Sequence, residues 1–94
     1  MSETTLTVDH QAGLHLRPAR LFFQTAARFR SNIQLTNLDR QEDLEVDAKS
    51  LFDIMRLGVS QGHRVRVRAQ GDDADQAITA LEELVARNFG EQAI

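Results

Sequence analysis

Leu6 and Val8 alternate with Thr5, Thr7 and Asp9, a period of two that predicts a half-buried strand over about residues 4–9. The period then changes. Ala19, Phe22, Phe23, Ala26 and Phe29 recur at helical spacing, so an amphipathic helix follows the glycine- and proline-bearing segment 10–18. Proline suits the first helical position, where its missing N–H would have no partner anyway, so the helix is expected to begin at Arg17 or Pro18. That leaves His15 at its mouth. Ile33 and Leu35 alternate with polar neighbours, and a polar turn at 39–43 separates them from Leu44 and Val46, predicting a hairpin over about 32–47. Asp47 is expected to cap a short helix carrying Leu51, Ile54 and Met55, with Gly58 as its stop. Val65 and Val67, set between Arg64, Arg66 and Arg68, predict a fourth strand with one apolar and one cationic face. Gly71-Asp72 opens a last helix whose stripe is Ala74, Ala77, Ile78, Leu81, Leu84 and Val85, ending about Asn88 before Gly90.

The resulting order is β-α-β-β-α-β-α. Intermixed strands and helices with a tight hairpin predict an α+β, open-faced two-layer β-sandwich, in which helices cover one face of a four-stranded antiparallel sheet and the other stays wet. The ferredoxin-like split arrangement shares the first six elements and is the nearest competitor; the extra last helix argues against it. At 94 residues the length supports a single domain over 1–94, and neither an internal repeat nor a low-complexity linker divides it.

Composition narrows the chemistry. A hydrophobic share of 41% with 27% charged residues is that of a globular domain. Eleven Lys and Arg against fourteen Asp and Glu leave −3, which provides no field for holding nucleic acid. The absence of cysteine removes disulfides, thiolate metal sites and a thiol nucleophile. No apolar run reaches the ~18 residues that span a bilayer, and the N-terminal stretch has neither the basic nor the apolar region of a secretory signal. A cytoplasmic protein without membrane insertion is expected.

None of the three histidines, His10, His15 and His63, pairs with another at a metal-binding spacing, so no metal and no cofactor are expected. His10 and His63 read as polar loop residues. His15 differs, because the first amides of the helix after it have no intrahelical partners and point back toward an anion. The positive helix end disfavours imidazolium, leaving a neutral, nucleophilic ring, and the same partial charge stabilises a phosphoryl group once attached. Arg17 adds a guanidinium suited to phosphate oxygens. Without a lysine, metal ligand or general-base carboxylate in the same segment, this arrangement suits holding a phosphate better than hydrolysing one.

Gly13-Leu14-His15-Leu16-Arg17-Pro18-Ala19 resembles the active-centre motif of the HPr family, the histidine phosphocarriers of the bacterial phosphoenolpyruvate:sugar phosphotransferase system. A second signature, Val46 to Gly58 around Ser50, is similar too, as is Gln61-Gly62 before the fourth strand, and the likeness spans about residues 4–88. It implies a carrier that other enzymes act on rather than a turnover catalyst. His15 would accept phosphate on Nδ1 from phosphorylated enzyme I and pass it to an enzyme IIA domain, with Arg17 and the Leu16 amide holding the phosphate and Pro18 starting the helix. Ser50 matches a serine that, in some bacteria, HPr kinase phosphorylates to slow transfer and recruit a catabolite-control regulator. Leu51, Phe52 and Met55 match an exposed partner-binding patch, joined by Gln24. Arg20, Arg28, Lys49 and Arg56 can form a basic rim that steers acidic partners, although for Arg28 a solvated surface is the better reading.

Two positions depart from the family pattern. Leu16 stands where a small residue or threonine is common, and Asp53 where glycine often stands, placing a negative charge near Ser50. Two other functions remain open: a regulatory signalling protein of the nitrogen-related or catabolite-control branch, and a small-molecule-binding domain of ferredoxin-like fold, which leaves His15 and Arg17 unexplained. A monomer is expected.

Overall fold

The computed structural model describes residues 1–90. The elements are β1 (Ser2–Thr7), α1 (Leu16–Ala27), β2 (Asn32–Asn37), β3 (Val46–Asp47), α2 (Leu51–Arg56), β4 (Arg64–Gln70) and α3 (Ala74–Ala86), followed by a 3-10 turn at Asn88–Gly90. The strands form one antiparallel sheet in the order β1-β4-β2-β3. This is the open-faced α+β sandwich expected from the order of elements.

The alternation along β4 sets the two faces. Val65, Val67 and Ala69 are buried in the core beneath the helices, whereas Arg64, Arg66 and Arg68 lie on the open face. Arg64 pairs with Asp39 at 2.9 Å, and Arg68 reaches Glu3 at 2.8 Å and Glu45 at 3.4 Å. Glu3 is the cross-strand partner of Arg68, so register places these charges together.

Several boundaries differ from the sequence reading. β1 begins at Ser2, because pairing with β4 runs from Ser2 opposite Ala69 to Thr7 opposite Arg64; the chain then leaves the sheet toward His10. β3 is only two residues long, opposite Leu35 and Gln34. Asp47 does not cap α2. It lies within β3, and its carboxylate accepts the Lys49 amide at 2.8 Å, making a turn of its own. The cap is Ser50, whose Oγ accepts the Asp53 amide at 3.3 Å, so α2 starts later than expected.

Asp73 makes no cap bond to α3 and instead joins that helix to the end of α1. Its carboxylate accepts the amides of Arg30 at 2.8 Å and Ser31 at 2.9 Å, together with the Ser31 hydroxyl. The hydroxyl first, and then the Arg30 amide, lower its carboxyl from 3.8 to about 2. α3 ends at Ala86, earlier than the sequence suggests, because Asn88 and Phe89 take left-handed backbone conformations that return the Phe89 side chain to the core.

Candidate functional site

The segment between β1 and α1 is fixed at several points. Gly62 donates its amide to the Val8 carbonyl at 2.7 Å, Leu14 donates to the Val59 carbonyl at 3.0 Å, and Gln61 Nε2 donates to the Asp9 carbonyl at 3.0 Å. Gly13 has φ +62, and a Cβ there would lie 2.0 Å from the Val59 oxygen, so only glycine allows this close approach. Leu14 is fully buried, which anchors the residue immediately before His15.

Two histidines turn out to be structural. His10 is not a solvated loop residue: it is buried, its Nδ1 accepts the Ala12 amide at 3.0 Å, and its ring meets Phe89 edge-on with centroids 5.8 Å apart. His63 is half-buried, and its Nδ1 accepts the Ser60 amide at 3.1 Å while lying 3.1 Å from the Asn37 amide nitrogen. In both rings Nδ1 is occupied as an acceptor. His15 is the half-buried histidine at the mouth of α1, with extended backbone (φ −125, ψ 162) and no side-chain cap bond. No acidic residue stands in the first turn of α1, so nothing on the helix offsets its positive end. Among the described residues, no three His, Cys, Asp or Glu side chains converge as metal ligands.

Leu16 starts α1 with φ +54 and is 77% exposed. A bulky residue in the left-handed region costs on the order of 1–3 kcal/mol, a strain the sequence does not reveal. Arg17 Nη1 donates to the Phe89 carbonyl at 3.0 Å, so the residue two after His15 is tied to the C-terminal turn. Pro18 is buried within the first turn, where no partner for its nitrogen is needed.

Between α1 and α2 runs a groove of about 500 Å³ lined by Leu16, Arg17, Arg20, Leu21, Gln24, Leu51 and Met55. It unites most of the residues the sequence assigns to a partner surface. Phe52 is 63% exposed outside the groove, whereas Ile54 and Leu57 fill the core, so α2 divides its apolar residues between two faces as its composition requires. Arg56 is held by Asp53 at 3.4 Å. Lys49 lies at the opposite end of α1 from His15, its ammonium donating to the Phe29 carbonyl at 2.6 Å, and Arg28 covers the Phe29 ring at 5.7 Å. Of the cationic groups, Arg20 shares the groove wall with Arg17. Asp53 has a local function, its amide on Ser50 and its carboxylate on Arg56. Sequence reasoning missed Phe89 and Val59; a lone aromatic before Gly90 is the only signal the former leaves.

A four-stranded open-faced sandwich with a histidine at the mouth of its first helix defines the class of protein. A family model described as the PTS HPr component phosphorylation site matches residues 2–87. The chain is 42% identical to phosphocarrier protein HPr of Xylella fastidiosa (strain Temecula1) over 91 residues, covering 97% of this chain and 98% of that protein. It is also 44% identical over 87 residues to the multiphosphoryl transfer protein of Haemophilus influenzae, of which it spans only 17%. The crystal structure of HPr-C-His from Thermoanaerobacter tengcongensis superposes with a TM-score of 0.91 at 45% identity, covering 99% of this chain and all of that one. The chain belongs to the HPr family of phosphocarriers.

Proposed function

We propose that this protein carries a phosphoryl group on His15 Nδ1, received from phosphorylated enzyme I and delivered to an enzyme IIA domain. The observation that carries the reading is the place of His15: half-buried and extended at the N-cap of α1, before amides that have no intrahelical partners and a first turn free of acidic side chains. As the N–P bond to His15 forms, the bond between phosphorus and the donor breaks, and the helix end stabilises the incoming charge. Arg17 leaves the Phe89 carbonyl to hold phosphate oxygens, and the Leu16 amide supplies a further donor. Arg20, Gln24, Leu51, Phe52 and Met55, with Arg56 and Lys49 at its margins, form the face on which partners dock.

The protein is a substrate of its partners, acts as a monomer in the cytoplasm and turns over nothing by itself. Among the described residues, no helix is long and apolar enough to cross a membrane. Ser50, as the cap of α2 beside the groove, is the site at which HPr kinase and a catabolite-control regulator would act; this is the observation favouring a signalling role alongside transfer. The test is mass spectrometry after incubation with phosphoenolpyruvate and enzyme I. One acid-labile phosphate is expected on the unmodified chain and none on His15→Ala, and label persisting in that variant would rule His15 out.

A further inference from the structure

Leu16 combines two unfavourable features at the start of α1. Its backbone has φ +54, a conformation eased by glycine or asparagine, and its side chain is 77% exposed although apolar. Burial does not account for leucine here, since the core is closed by Leu14 on one side and by Ala19 and Phe22 on the other. The exposed isobutyl group stands beside His15 at the end of a groove whose wall carries Arg17, Arg20, Leu51 and Met55. Apolar surface at that place gains only when a second surface covers it.

We propose that Leu16 is a specificity-determining residue: held outward by its left-handed backbone, it selects phosphoryl-transfer proteins that have an apolar socket beside the phosphorylated side chain, rimmed by carboxylates. This rests on the phosphocarrier reading of His15. The carboxylate rim follows from Arg17 and Arg20 on the same wall, and the socket from the size and exposure of the leucine. A partner with a polar or filled position there must leave a polar group dry or hold the reacting atoms apart, and so is disfavoured. Leu16 acts through docking; its amide, which any residue but proline supplies, belongs to the phosphate site.

The test compares Leu16→Asn, Leu16→Ala and Leu16→Met with the unmodified chain in transfer from phospho-His15 to two enzyme IIA domains, one with an apolar socket beside its acceptor side chain and one with a polar side chain in that place. Steady-state kinetics and thermal melts are recorded for each. The ratio of kcat/KM between the two acceptors is expected to change by roughly tenfold in Leu16→Asn and Leu16→Ala, mainly through KM, and to be restored in Leu16→Met. Leu16→Asn should melt no lower than the unmodified chain, because the strain is relieved. An equal loss toward both acceptors, a loss confined to kcat, or a fall in melting temperature would overturn the proposal. If the unmodified chain takes no phosphate from enzyme I, the phosphocarrier reading fails first and this selectivity falls with it.

Discussion

Arg17 and Phe89 are joined by a 3.0 Å hydrogen bond between the guanidinium and a main-chain carbonyl. The side chain expected to hold phosphate is therefore positioned by a turn at the far end of the chain, and that turn is itself seated by Phe89 against His10. Arg17→Ala should keep the fold and slow phosphorylation of His15 by roughly tenfold to a hundredfold, from ~1.5–3 kcal/mol of charge-assisted bonding formed mainly in the transition state. Rapid-quench transfer from enzyme I measures it; an unchanged rate would make Arg17 a structural residue and not a phosphate ligand.

Gly13→Ala should be among the most damaging small substitutions. Its methyl group would fall 2.0 Å from the Val59 oxygen on a backbone at φ +62. A loss of about 2–4 kcal/mol is expected, since clash and conformational strain add. Urea titration checks this, and a change below ~0.5 kcal/mol would mean that the loop before His15 is not fixed as described.

Phe52 and Ile54 are neighbours on α2 with opposite fates, one 63% exposed and the other fully buried. Ile54→Ala should cost about 2–5 kcal/mol of stability. Phe52→Ala should cost under ~1 kcal/mol while weakening the complex with enzyme I, because its ring is available to a partner and not to the core. Paired denaturation and calorimetric binding experiments separate the two effects.

Acid should loosen the fold through two carboxylates. Asp39 is lowered from 3.8 to about 2, first by its hydrogen bond from the Arg64 side chain and then by the Arg64 amide, and Asp73 reaches about 2 as well. Both are depressed in the folded state, so the stability they contribute is fully present above the unfolded carboxylate range near 3.8 and is lost as pH falls through about 2. Urea midpoints measured from pH 5 downward should fall in that window, and Asp39→Asn or Asp73→Asn should flatten the fall.

Ser50→Ala should destabilise by ~0.5–2 kcal/mol through loss of the α2 cap. Ser50→Asp retains an acceptor for the Asp53 amide and should melt close to the unmodified chain, yet raise the apparent KM for enzyme I, because a charge beside Leu51, Phe52 and Met55 must be desolvated or repelled on docking. An unchanged KM would confine Ser50 to capping.

The order of elements, the two faces of β4 and the place of His15 were legible because each rests on local periodicity or a helix-start signal. Local sequence points to Asp47 as the cap of α2 because aspartate caps as well as serine does, and only pairing in β3 shows that Asp47 is already used in a turn. The burial of His10, the left-handed Leu16 and the contact of Arg17 with Phe89 depend on segments far apart in sequence and leave no periodic trace. The charge of Lys49 suggests a place in the basic rim but carries no position; its bond to the Phe29 carbonyl places it at the end of α1 away from His15.

A phosphocarrier must hold on His15 a phosphate that a second protein can remove. Phosphorus NMR of the chain with phosphoenolpyruvate and catalytic enzyme I, followed by addition of an enzyme IIA domain, tests it directly. A single phosphohistidine resonance assigned to Nδ1 should appear, be absent in His15→Ala, and collapse when the acceptor is added. A resonance that persists with acceptor present, arises from another residue, or never forms would exclude His15 as the carrier of a transferable phosphate.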